Sequence, residues 1–151
     1  MTWRVTVAAV VERGGRFLVV EERPPGSGGV VWNQPAGHVE PGEPILEAVV
    51  RETLEETGLA LTPTALVGVY QLRARDGRDY CRVCLAGTVP DFAEARPRDP
   101  EILGCRWVTR DELAAGPVRS GLVVRCVDDL LAGARLPLSA VSRLLDERST
   151  A

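Results

Sequence analysis

The chain has 151 residues, 45% of them apolar, which suits one domain spanning 1–151 around a core of ordinary size. A formal charge of -3 and a pI near 5.3 supply no basic field for a nucleic-acid backbone, so polymeric DNA or RNA is not an expected partner. No apolar run approaches the roughly 20 residues of a membrane span, and the opening Met1-Thr2-Trp3-Arg4-Val5 has no charged leader ahead of an apolar core; no membrane association and a cytoplasmic location are expected.

Val5 to Val11 is rich in β-branched residues, and Phe17 to Glu21 resumes after a segment containing Gly14-Gly15, a spacing that predicts a β-hairpin. Pro24-Pro25-Gly26-Ser27-Gly28-Gly29 reads as loop, and Val30 to Gln34 as a short strand. Glu43-Pro44 marks a helix start, Glu47 lies near its N-terminal end, and Gly58 is a natural C-cap; one helix of about four turns is predicted between them. Leu59 to Arg73 and Asp79 to Val89 read as long strands, joined by a hairpin turn at Asp76-Gly77. Pro90 to Pro100 is a polar loop, and Ile102 to Val108 a further strand. Thr109 with Glu112 three residues later forms a capping box for a short helix, and another helix is expected over Arg119 to Ala132. Strands interrupted by helices in this order indicate an α+β or layered α/β/α domain with a mixed sheet.

Four cysteines raise the question of a disulfide or a metal site. Cys81 and Cys84 form a C-x-x-C, but within the predicted strand residues three apart point to opposite faces and do not share an ion. With Cys105 and Cys126 they read as small apolar fillers.

The predicted helix carries the chemistry. At 100° per residue Leu46, Val49, Val50 and Thr53 share one face, while Glu52, Glu55 and Glu56 group on roughly the opposite one. Carboxylates at i, i+3 and i+4 repel one another, and near a helix C-terminus the macrodipole disfavours them further. Arg51 offsets only part of this, by reaching Glu43 or Glu47. A divalent cation reverses the sign of the arrangement, because carboxylates are hard oxygen ligands suited to Mg²⁺ or Mn²⁺. Magnesium completes its shell with water and substrate phosphate oxygens, so such a platform points to phosphate chemistry.

The pattern Gly37-x5-Glu43-x7-Arg51-Glu52-Thr53-x-Glu55-Glu56-x-Gly58-Leu59 resembles the Nudix box, the signature of hydrolases acting on nucleoside diphosphates linked to another group. Its one departure is Thr53, where the usual pattern has an aliphatic residue. The resemblance implies the Nudix α/β/α sandwich. Carried over position by position, it implies that Glu52, Glu55 and Glu56 bind the metals with the backbone carbonyl of Ala36, and that Glu43 and Arg51 orient that shell. It also implies a further acid from outside the box; Glu101 is the candidate and Asp99 the alternative. Either Glu55 or Glu101 would then serve as the base for the attacking water.

Beyond the box, Phe17 to Glu22, Trp32 to His38, Cys105 to Val108 and Leu136-Pro137-Leu138 look like a bacterial subgroup, the NudJ-type phosphatases. That resemblance implies a small-molecule nucleotide or pyrophosphate as partner, with orthophosphate released from nucleoside tri- and diphosphates and from the pyrimidine pyrophosphate precursor of thiamin. A pyrophosphohydrolase of ADP-ribose or related diphosphates, and a nucleotide-binding domain without activity, are the alternatives; monomer and homodimer both remain open. Trp32, Gln34 and Arg119 are candidate substrate contacts: an aromatic plane for a base, an amide for its edge and a guanidinium for phosphate. His38 stands beside Gly37 as a turn residue.

Overall fold

The computed structural model describes residues 3–26, 28–141 and 143–149. The opening hairpin forms as β1 (Trp3–Arg13) and β2 (Arg16–Glu22), antiparallel and joined through Gly14-Gly15. β3 (Val31–Asn33) pairs antiparallel with the end of β2, and β4 (Ala36–His38) with the middle of β1 at Thr6–Ala8. α1 (Ile45–Thr57) leads to β5 (Thr62–Arg73) and β6 (Asp79–Thr88), an antiparallel pair whose second strand runs parallel to β1. β7 (Ile102–Thr109) returns antiparallel to β2, followed by α2 (Arg110–Ala115) and α3 (Gly121–Leu131). The mixed sheet runs β3-β2-β1-β6-β5, with β4 on β1 and β7 on β2, as the predicted α+β class requires.

β1 shows how the layers arise from sequence. Val7 to Val11 are all buried, and strand alternation divides them: Val7, Ala9 and Val11 pack with Ala48 and Val49 of α1, while Val10 packs with Val123, Cys126 and Val127 of α3. A strand covered on both faces reads as a continuous apolar run rather than an alternating one. Each fully buried valine contributes about 1.5–3 kcal/mol of transfer free energy, which fixes α1 against the sheet.

α1 ends where expected. Gly58 adopts the left-handed conformation (φ 71), its N–H donates to Leu54 O at 2.8 Å, and a side chain there would collide with the Arg96 carbonyl. The start differs by a residue: Pro44 is the N-cap, in extended conformation, rather than part of the first turn. The hydroxyls of Thr53 and Thr57, buried on the packing face, donate to Val49 O and Thr53 O at 2.8 and 2.6 Å, so the departure at Thr53 leaves no polar group unsatisfied. Leu59 to Leu61 precede β5 instead of joining it, because Leu59 and Leu61 turn into the core beneath α1. The Thr109 hydroxyl caps α2 by accepting from Glu112 N at 3.1 Å. α3 begins at Gly121 after the Ser120 cap, later than expected, because Arg119 N–H is taken by Trp32 O of β3. All four cysteines are free thiols.

Candidate active site

The acids of α1 divide by depth rather than forming one solvated face. Glu55 is exposed, Glu52 half-buried, and Glu56 only 6% exposed. The Glu56 carboxylate accepts the Ala36 N–H at 2.8 Å, which ties the helix to β4. Burial pushes this carboxyl up to about 8; the Ala36 N–H opposes that shift, and the charges of Glu22, Glu52 and Asp99 add to it. Burial also raises Glu52, against the pull of Arg51.

Arg51 occupies the space between these carboxylates. Its guanidinium grips Glu43 with two hydrogen bonds, at 2.6 and 2.9 Å, and reaches Glu52 at 3.0 Å, Glu55 at 3.2 Å and the His38 carbonyl at 3.0 Å. The bond from Arg51 holds the Glu43 carboxyl below the usual range. Gly37 lies against the Glu52 carboxyl so closely that a methyl there would collide with it. A glycine at that point lets the β4 backbone approach the acids directly.

The loop after β6 is strapped to the helix C-terminus. Arg96 N–H donates to Thr57 O at 2.7 Å, and the N–H groups of Arg98 and Asp99 both donate to Glu55 O at 2.9 Å. These bonds satisfy carbonyls that a helix end otherwise leaves orphaned, and they carry Asp99 toward Glu56. Glu101, the preferred outside acid in the sequence, is exposed, and its N–H caps the Asp99 carboxylate at 2.9 Å. Of the two, it is Asp99 whose charge bears on Glu56.

Beside the box glycine a cavity of about 600 Å³ opens between β4, the β5–β6 hairpin and the start of α3, with Arg82, His38, Tyr80, Glu22 and Arg119 in its lining. Burial, then the charges of Arg4 and Arg119, lower the His38 pKa, so its imidazole is neutral at pH 7. Arg119 donates to the Glu22 carboxylate at 2.7 Å. Two expected substrate contacts sit elsewhere. Gln34 is buried, its amide N–H donating to Val123 O at 2.7 Å and its oxygen accepting from Arg82 at 3.1 Å, so neither end of the amide is offered to a ligand. Trp32 does not line the cavity; its ring lies under Gly116 and within 5.8 Å of the Arg106 guanidinium.

Residues 2–124 match the NUDIX domain. The chain belongs to the NUDIX family. This Nudix hydrolase is 40% identical over 138 residues to the Phosphatase NudJ of Escherichia coli strain K12, covering 91% of this chain and 89% of that one. A NUDIX hydrolase of Nitrosomonas europaea superposes with a TM-score of 0.87 at 41% identity, covering 93% of this chain and 97% of that one. The NUDIX domain of Shewanella oneidensis NrtR, solved with ADP ribose, shares the fold at 16% identity and a TM-score of 0.73, over 87% and 88% of the two chains.

Nudix hydrolases generally use divalent cations such as Mg²⁺. The donor set here fits one: Glu52, Glu55 and Glu56 are hard oxygen donors, and Glu56 is buried with no cationic partner among the described residues. The bare Gly37 backbone meets the Glu52 carboxylate. As they stand, no three such side chains among the described residues converge on a point, because Arg51 lies between Glu43, Glu52 and Glu55 while Glu56 turns to Ala36 N–H. Sequence reading missed Glu22 and Arg82. The signal for Glu22 was two consecutive acids ending an apolar strand; Arg82 stood in a strand with nothing to mark it.

Proposed function

We propose that this Nudix hydrolase is a Mg²⁺-dependent phosphatase that releases orthophosphate from nucleoside tri- and diphosphates, and from the pyrimidine pyrophosphate precursor of thiamin. The observation that carries the reading is the junction of the cavity with the box at Ala36 and Gly37, which sets a nucleotide-sized space lined by Arg82 and Arg119 beside the acids of α1. The similarity to Phosphatase NudJ over 91% of the chain supports orthophosphate as the product.

Glu52, Glu55 and Glu56, with the Ala36 carbonyl, would hold the cation. When bound, it supplies Lewis-acid polarisation of a phosphoryl oxygen and acidifies a coordinated water. Arg51 aligns Glu43, Glu52 and Glu55. Arg119 binds a phosphate of the substrate part that is retained, and the aromatic rings of His38 and Tyr80, 6.3 Å apart, flank the rest of that part. Glu55, exposed and contacted by Arg51 at 3.2 and 3.4 Å, takes the proton of the attacking water at a carboxylate oxygen, with Asp99 in place of Glu101 as the acid beyond the box.

The test is a substrate panel with Mg²⁺, including GTP, GDP and ADP-ribose, in which orthophosphate is measured with and without added pyrophosphatase. Orthophosphate from GTP and GDP without the coupling enzyme is expected. Turnover confined to ADP-ribose, giving two monophosphates, would transfer the assignment to the pyrophosphohydrolase alternative, and binding without turnover to a nucleotide-binding domain.

A further inference from the structure

Arg119 is seated from its backbone outward. Trp32 N–H donates to Pro117 O and Arg119 N–H to Trp32 O, each at 2.9 Å, so the segment before α3 is locked to β3. Gly116 lies flat on the Trp32 ring, where a methyl would collide with it. The side chain is then aimed by Glu22, whose carboxylate, 16% exposed, accepts from Nη1 at 2.7 Å. Glu22 is held in turn by Asn33 at 3.4 Å, and Asn33 by the buried Arg82 guanidinium at 3.1 Å. Strand alternation separates the two consecutive acids: Glu21 pairs with Arg106 at 3.1 Å, and Glu22 faces the cavity.

We propose that Glu22 is a positioning residue for substrate binding, which with the backbone seat on Trp32 presents Arg119 as a preformed clamp for a phosphate at the cavity mouth. This rests on the phosphoanhydride hydrolase reading above. Glu22 engages one Nη1 donor, and the guanidinium carries further N–H donors for an anion. A guanidinium already held loses less rotamer freedom on binding than a free one. Trp32, expected from sequence to stack on a base, acts instead through the main chain beneath the clamp.

The test is steady-state kinetics of Glu22→Gln, Arg119→Ala and the double variant on the nucleotide that the wild type turns over fastest among GTP, GDP and ADP-ribose. Glu22→Gln is expected to raise KM about tenfold, the loss of one charge-assisted contact, with kcat within about twofold. The double variant is expected to bind no worse than Arg119→Ala, because the two side chains act as a unit. A wild-type KM for Glu22→Gln, additive effects in the double variant, or a fall in kcat at constant KM would each overturn the proposal. Glu22→Asp, which keeps the charge but shortens the arm, provides a second variant with the same expected rise in KM, and melting curves establish that each variant is folded. A wild type inactive on all three nucleotides refutes the hydrolase reading alone; ADP binding by calorimetry then tests the clamp, and equal Kd values for wild type and Glu22→Gln overturn it.

Discussion

Replacing Arg51 with glutamine removes the guanidinium placed among the box glutamates. The wild-type guanidinium contacts Glu43 at 2.6 and 2.9 Å, Glu52 at 3.0 Å, Glu55 at 3.2 Å and the His38 carbonyl at 3.0 Å. The side chains of Glu43 and Glu52 are each 14% exposed, so their pairs are poorly screened, whereas the half-exposed Glu55 pair contributes under about 1 kcal/mol. A hydrogen bond to a charged group is worth about 1.5–3 kcal/mol, and removing one partner leaves charge that is only partly solvated. A net loss of about 3 kcal/mol in cation-free protein follows, or a fall in Tm of roughly 6–12 °C for a chain of this size. The assay is thermal unfolding followed by circular dichroism, in chelator and then with Mg²⁺. Mg²⁺ should narrow the gap, since it restores positive charge to the same carboxylates. The pH dependence has a definite sign: Glu43 is held below its ordinary 4.5, so the wild-type advantage is present above 4.5 and lost as pH falls through the lowered value. Equal melting temperatures in chelator at pH 7 would show that Arg51 does not hold the box carboxylates together.

Three further predictions concern the same site. Gly37→Ala drives a methyl into the Glu52 carboxyl; displacing that group by about 1 Å should lower kcat/KM about 100-fold, and wild-type kinetics would show that the contact is not required. Glu56→Gln should raise Tm in chelator at pH 9 and leave it unchanged at pH 4. With a folded value of about 8 against 4.5 unfolded, wild-type stability declines as pH climbs between the two, and Gln removes that penalty; a variant that melts below the wild type at pH 9 contradicts this. Asp99→Asn should reduce kcat by at least about tenfold, as for an acid that assists proton transfer, while Glu101→Gln, an exposed residue, keeps the wild-type rate; the reverse ranking restores Glu101 as the outside acid.

The central helix was legible in the sequence because its signals agree: an apolar stripe at helical spacing, Gly58 at the end, and glutamates too close together to be explained by solvation. β1 and β2 were legible as apolar runs bounded by glycines. β4 was not, since Ala36-Gly37-His38 has no strand preference of its own and exists as a strand through its pairing with Thr6–Ala8. Gln34 and Trp32 were assigned to the substrate by residue type, and no local pattern shows that one amide would be taken by Val123 and Arg82 or that the indole would lie beneath Gly116. The same limit applies to Glu101 and Asp99: which acid turns inward depends on the two N–H groups that donate to Glu55 O, a contact made only after folding. Glu22 faces the cavity by simple strand alternation, but its role depends on Arg119, which arrives from 97 residues further along the chain.

The most direct measurement is orthophosphate release from GDP by the wild type and by Glu55→Gln, each with Mg²⁺ and with excess EDTA. Turnover by the wild type with Mg²⁺, its abolition by EDTA, and a kcat lowered by orders of magnitude in a folded Glu55→Gln are expected. Turnover that persists in EDTA, or a Glu55→Gln variant at the wild-type rate, contradicts the claim that the carboxylates of α1 carry cation-dependent phosphoanhydride cleavage.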